Sequence, residues 1–249
     1  MKHDIATLQA MLAASQRAVV FTGAGISTES GIPDFRSPTG MWAKVKPIMF
    51  QDYVASAAWR AEAWKRKFEH EHTMRAAQPN RGHRAVARLV REGKVAAVIT
   101  QNIDGLHQAS GVPDAKVIEL HGNATYAHCL DCGERYEIDA LRAAWERDGV
   151  VHDCLKCEGI IKTATISFGQ AMPEAQMLRA QQETMAADLF IVLGSSLVVY
   201  PAASFPEVAR RKGARLVIVN NEPTGLDDMA DLVIHHGIGD VMGGAVGVN

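Results

Sequence analysis

Five short apolar runs, each ending in a polar cluster, set the strongest limit on what this chain can become. They read "AVVFTGAG", "VAAVITQNID", "KVIELHGN", "LFIVLGSS" and "RLVIVNNEP". Unbroken Val/Ile/Leu runs of this length predict strands covered on both faces, hence a parallel sheet between helical layers. Helical stretches alternate with them: "HRAVARLVREG", "PEAQMLRAQQETMAA" and "PAASFPEVARRKG". This alternation predicts an α/β fold, a doubly wound, Rossmann-like parallel sheet. Ligands of such sheets sit beyond the carboxyl ends of the strands. The polar clusters all lie at those ends, so five distant segments are expected to line one crevice.

Two stretches interrupt the pattern. Residues 38–83 carry Trp42, Trp59 and Trp64 among charged helical turns, and residues 126–159 carry all four cysteines. Both read as insertions. The resulting partition gives 1–37, 84–125 and 160–249 to a nucleotide-binding domain, and 38–83 with 126–159 to a smaller helical and zinc-binding domain. The tryptophans are expected to pack rather than to touch ligand. The opening "MKHDIATLQAMLAASQ" places Asp4, Thr7 and Gln9 in a weakly apolar stretch and spaces Ile5, Leu8 and Leu12 as on a helix face. It is therefore read as a retained helix rather than an export signal.

Cys129-x-x-Cys132 and Cys154-x-x-Cys157 form two knuckles 21 residues apart. Four thiolates predict a tetrahedral Zn²⁺ site with no position open to water, which is structural rather than catalytic. The neighbouring His128 and His152 are not needed as ligands. Thiols used this way suit a reducing compartment, and the expected location is cytoplasmic. A net charge of −2 leaves no basic footprint for direct nucleic-acid binding. No apolar run approaches the roughly 18 residues of a membrane span.

The first strand leads into Gly23-Ala24-Gly25, but Thr28 stands where a third glycine of a dinucleotide fingerprint belongs. Gly23 and Gly25 still allow a tight turn and let backbone N–H groups approach a pyrophosphate. Gly194, Ser195 and Ser196 after "LFIVL", and Asn220 and Glu222 after "RLVIV", suit phosphate and ribose hydroxyls. A hydride-transfer enzyme would carry an acid about 20 residues past the glycines for the adenosine ribose. The stretch there reads "SPTGMWAKVKP", with neither strand nor acid. That argues against an oxidoreductase and leaves the ribose to Glu222.

With these segments in hand, the chain resembles the sirtuins, the NAD-dependent protein lysine deacylases, and among them the short bacterial and archaeal forms. The resemblance rests on "GAGISTESGIPDFRSPTGMW", "PNRGH", "TQNIDGLH", "VIELHGN", both cysteine pairs, "SFG", "LGSSLVVYPAA" and "VNNEPT". It implies that NAD is consumed rather than reduced. Ala24, Thr28 and Arg36 would then contact the phosphate and ribose region, and Phe35 would cap the reacting ribose. Ile103 and Asp104 would hold the nicotinamide carboxamide in a pocket that Asp34 shares, with Gln101 and Asn102 at the nicotinamide ribose. The acyl oxygen of an acyl-lysine would attack C1′ as nicotinamide leaves, and His121 would serve as general base, imidazole titrating near operating pH. The products would be free lysine and O-acyl-ADP-ribose. Phe168 and Gly169 are expected on a strand that pairs with the substrate peptide by β-augmentation. His107 reads as a support behind the site, and His83 as capping or packing a helix.

Three departures carry expectations of their own. Lys162-Thr163 replaces the family's Arg-Pro before the substrate segment, and Gln170 replaces an acid, which should weaken preference for basic flanking residues. Where desuccinylating members carry Tyr-x-x-Arg, this chain has Lys65 and Phe68. Neutral acyl groups, acetyl first, are therefore expected over succinyl. A monomer is expected. Mono-ADP-ribosyl transfer on the same scaffold is the alternative activity, and a zinc-ribbon nucleic-acid binder is disfavoured by the charge.

Overall fold

The computed structural model describes residues 1–34 and 45–249, apart from the side chain of His70. Six parallel strands form the main sheet: β1 (Ala18–Thr22), β2 (Val95–Thr100), β3 (Val117–Glu119), β7 (Leu189–Leu193), β8 (Arg215–Val219) and β9 (Leu232–Ile234). They lie in the order β3-β2-β1-β7-β8-β9. The direction of winding reverses between β1 and β7, so a crevice opens at their carboxyl ends.

Period-two alternation explains why these strands are apolar throughout. Val20, Ile191, Leu193, Val217 and Val219 point into one core layer. It is closed by α1 (Lys2–Ala14), α4 (Arg81–Arg91) and α9 (Ile238–Val246), which contribute Leu8, Leu12, Val86, Leu89, Val241 and Met242. Val19, Phe21, Phe190, Val192, Leu216 and Ile218 point into the other layer. There α7 (Glu174–Ala186) and α8 (Phe205–Arg211) supply Ala180, Phe205 and Ala209. Each such Leu, Ile or Phe contributes roughly 1.5–3 kcal/mol by leaving water. The opening segment is a helix as expected, its Leu8, Met11 and Leu12 buried on the sheet.

A second, antiparallel sheet contains β4 (Gly122–Cys129), β5 (Arg135–Glu137) and β6 (Ile161–Thr165), in the order β5-β4-β6. The sequence partition at 126 and 160 cuts through it, because β4 begins at Gly122 and β6 runs to Thr165. Backbone pairing of Gly122 with Thr165 and of Cys129 with Ile161 carries the small sheet past both boundaries. Between β5 and β6 lies α6 (Ile138–Asp148). Residues 45–83 add α2 (Phe50–Ala55) and α3 (Ala57–Ala76), and no strand. Trp64 and Phe68 of α3 stack at 5.5 Å and pack with Trp145, Ile138, Leu141 and two of the cysteines. Trp64 is thus core, whereas Trp59 is exposed. Trp42 lies outside the described residues.

Candidate active site

The tips of β1, β7 and β8 are tied by backbone. Gly23 N–H donates to Leu193 O at 3.1 Å, Gly25 N–H to Gly194 O at 2.9 Å, and Gly194 N–H to Val219 O at 2.9 Å. Gly194 has a φ of +67°. A Cβ there would lie 2.4 Å from Ile26 N and 2.6 Å from the carbonyl carbon of Gly25, so only glycine lets the two loops cross. Gly194→Ala is accordingly expected to weaken dinucleotide affinity by about tenfold or more, a loss of at least one hydrogen-bonded backbone contact. Calorimetric titration checks this, and unchanged affinity would show that the crossing does not shape the cradle.

These tips open onto a cleft of about 710 Å³, within the size range of small-molecule sites. Sixteen of the sequence-predicted residues reach it. Gly23, Ala24, Gly25, Thr28 and Asp34 come from the β1 side, and Gln101, Asn102 and Ile103 from the β2 tip. Gly194, Ser195, Ser196, Asn220 and Glu222 come from β7 and β8, with His121, Phe168 and Gly169 opposite. Asp104 stands behind the lining. It accepts from Ser27 Oγ at 2.7 Å and from Leu106 N–H at 2.9 Å, and burial pushes its carboxyl up while these bonds oppose the shift. Phe35 and Arg36 lie outside the described residues.

His121 sits where the chain passes from β3 to β4, between the two sheets. Gly122 makes the passage at φ +72°, and a Cβ on it would collide with Ala164 O at 1.9 Å. Ile166 returns alongside, donating its N–H to His121 O at 2.8 Å. The Nδ1 atom of His121 lies 3.0 Å from Gln101 O. A carbonyl only accepts, so Nδ1 carries the hydrogen and Nε2 carries the lone pair. Burial holds this imidazole below its usual value, and the Gln101 bond partly opposes that. Burial thus favours the neutral ring, with Nε2 as its acceptor nitrogen. Gln101 is held in turn by Ser195, whose Oγ donates to Gln101 Oε1 at 2.8 Å.

One expectation changes. Phe168 and Gly169 are not on a strand: β6 ends at Thr165, and they occupy a turn closed by Gln170 N–H to Ser167 O at 3.0 Å. Gly169 adopts φ +81°, which breaks the extended run. His83, read as capping or packing a helix, packs: Asn80 caps α4, accepting from Gly82 N–H at 2.9 Å, while His83 lies in the first turn with its side chain wholly buried. The cleft also takes Glu29 and the Gly237–Ile238 start of α9. The sequence reading missed both; the run "DLVIHHGIG" was the available signal.

The four cysteine sulfurs lie within 4.8 Å of one another. Cys129 and Cys157 approach to 3.5 Å, and Cys132 and Cys154 to 3.6 Å. Tetrahedral zinc with Zn–S of about 2.3 Å needs sulfurs about 3.8 Å apart, whereas a disulfide needs about 2.05 Å. The Tyr136 hydroxyl, donating to Cys154 Sγ at 3.1 Å, pulls that thiol down to about 6, while hydrogen bonding with Cys132 pushes Cys157 up to about 12. Four sulfurs this close ionise together only around a cation. The donor set fits Zn²⁺, and four thiolates would fill its tetrahedral shell, leaving no position open for a catalytic water.

Comparisons with known proteins agree. Residues 23–201 match the Sir2 family. The chain is 56% identical over 247 residues to NAD-dependent protein deacetylase 1 of Bradyrhizobium diazoefficiens, covering 99% of this chain and 97% of that one. It is 55% identical over 237 residues to an NAD-dependent protein deacetylase of Rhodopseudomonas palustris, covering 95% and 94%. A solved structure of Sir2 with a p53 peptide and NAD+ superposes with a TM-score of 0.85 at 38% identity, covering 95% of this chain and 94% of the other. The cleft, the imidazole between the sheets and the thiolate cluster are thus features of a chain that belongs to the Sir2 family.

Proposed function

We propose that this protein is an NAD-dependent protein lysine deacylase that passes the acyl group of a peptide lysine to ADP-ribose. One observation carries the reading: a lone-pair-bearing imidazole shares a cleft with a glycine-lined dinucleotide cradle. Bound NAD supplies an electrophilic ribose carbon and a leaving nicotinamide. The chain's own residues do the rest. Backbone N–H groups around Gly23, Ala24 and Gly25 face the pyrophosphate, with Thr28, Ser195, Ser196, Asn220 and Glu222 serving phosphate and ribose oxygens. Gln101 and Asn102 orient the nicotinamide ribose, and Asp34, Ile103 and Asp104 form the nicotinamide pocket. His121 takes a ribose hydroxyl proton at Nε2. The turn carrying Phe168 and Gly169 meets the peptide backbone and brings the acyl oxygen into line, the kind of positioning that accelerates a weak nucleophile most.

The test is nicotinamide release from acyl-lysine peptides with NAD labelled in the adenosine half. Label in a small acylated product supports the proposal. Label left on protein would replace it with ADP-ribosyl transfer.

Neutral acyl groups are preferred in this reading. Among the described residues lining the cleft there is no Lys or Arg to meet a succinyl carboxylate. Lys65 is exposed beside Glu69 at 4.0 Å, and Phe68 is sandwiched between Trp64 and Trp145. An unpaired carboxylate entering such a site costs several kcal/mol, so acetyl-lysine is expected to exceed succinyl-lysine in kcat/KM by about a hundredfold. Equal turnover of the two peptides would refute this.

A further inference from the structure

Beneath Asn102 runs a buried polar chain that no step above touches. Thr22 closes β1 and Thr100 closes β2, paired in register and both almost wholly buried. Thr22 Oγ1 donates to Thr100 Oγ1 at 2.8 Å, and Thr100 Oγ1 accepts the Asn102 backbone N–H at 3.0 Å. His107, 2% exposed, follows two residues into α5 (Leu106–Ala109), its Nε2 3.0 Å from Thr22 Oγ1.

The donors order themselves. Since Thr22 gives its hydrogen to Thr100, its oxygen is left to accept from His107 Nε2–H, so His107 is the neutral tautomer protonated at Nε2. Burial favours the neutral form, pulling His107 to about 3 and the adjacent His83, 5.1 Å away ring to ring, to about 4. The bonds therefore converge on Thr100 Oγ1, which accepts from Thr22, itself the acceptor of His107, on one side and from the Asn102 backbone N–H on the other.

Such a chain is an expensive way to fill a core. Valine at 22 or 100 would fit the same strand tips with better β propensity and nothing to satisfy. Its value lies at its end. The turn leaving β2 presents the Gln101 carbonyl to His121 and the Asn102 side chain to the ribose. That side chain is in turn 3.2 Å from Ser27 Oγ, which it meets as donor through Nδ2. A hydroxyl that accepts two bonds fixes this turn in a way an apolar side chain does not.

We infer that Thr22 and His107 are positioning residues that hold the β2 exit turn so that Asn102 faces the nicotinamide ribose. The inference rests on the deacylase reading above. Thr22→Val, which keeps the shape and removes the hydroxyl, tests it alongside Thr22→Ser, Asn102→Ala and the Thr22→Val/Asn102→Ala double variant.

Thr22→Val is expected to lower kcat about tenfold, the worth of one buried hydrogen bond, with the peptide KM unchanged. The thermal midpoint should fall as well, because His107 Nε2–H loses its acceptor, so rates are read well below it. Thr22→Ser should restore the parental rate within about twofold. In the Asn102→Ala background Thr22→Val should cost nothing further, because both changes act on one group. Penalties that multiply, or a Thr22→Val enzyme at the parental rate when assayed well below its thermal midpoint, would overturn the inference. A parent protein that releases no nicotinamide overturns it together with the functional reading; an active parent with an indifferent Thr22→Val overturns the positioning role alone.

Discussion

Replacing His121 by alanine is expected to lower the deacylation rate by about two to four orders of magnitude, the usual worth of a positioned general base, while NAD still binds. The prediction follows from geometry. Gln101 O fixes Nδ1 at 3.0 Å, so Nε2 is the nitrogen available to accept a proton. The pH profile gives the same residue a second signature. The base works neutral, and burial holds it below 6.5. Activity should therefore stay on its plateau through 6.5 and fall as pH drops through the lowered pKa, with no loss from this group on the alkaline side. Steady-state rates across pH 4.5–8.5 read this directly, the window being chosen to bracket an ordinary imidazole at about 6.5. A His121→Ala enzyme within tenfold of the parent, or an acid limb above 6.5, would remove His121 from the base role.

Removing the metal should have an effect of similar size for a different reason. Cys129 and Cys154 sit in the cluster with Trp64, Ile138, Leu141 and Ile161, so an ion held by the thiolates would be part of the small lobe's core. Binding of this kind supplies about 10–16 kcal/mol of folding energy. Cys132→Ala is the cleanest variant, because Cys132 is exposed and its loss leaves no core cavity. It is expected to melt the small lobe, seen as red-shifted tryptophan emission from Trp64 and Trp145, and to abolish deacylation. Both should return when chelated wild-type protein is refilled with Zn²⁺. The zinc need not touch substrate for this. β4 and β6 each have one end at the thiolates and the other at the cleft, where Gly122 follows His121 and Thr165 precedes the Phe168–Gly169 turn. Full activity in the metal-free protein would contradict the coupling.

Much of this architecture was legible in the sequence because its signals are local. A strand covered on both faces must be apolar at every position, and a thiolate knuckle must be Cys-x-x-Cys. What escaped depends on register or on short, mixed segments. β9 has three residues, two of them only half-buried, so "DLVI" gave no run long enough to count, and the α9 start it positions was lost with it. β6 reads "IKTAT", too polar to count among the apolar runs, and its antiparallel pairing with β4 is a matter of register. The Phe168–Gly169 turn looks extended until Gly169 turns left-handed. His107 could be suspected as a support, but its partner Thr22 lies 85 positions away and is set by the pairing of β1 with β2.

All residues of β1 and of β7 are buried, shared between the two helical layers. An unpaired polar group forced into that interior costs roughly 2–7 kcal/mol, against a total stability of about 5–15 kcal/mol. Heritable novelty is therefore shut out of the middle of the molecule and left to the rims. The rim facing the nucleotide is itself frozen by crossing glycines, so new substrate tastes should arise almost wholly from the turn after β6 and the small lobe behind it. A laboratory search for altered acyl-peptide preference would do best to randomise there first.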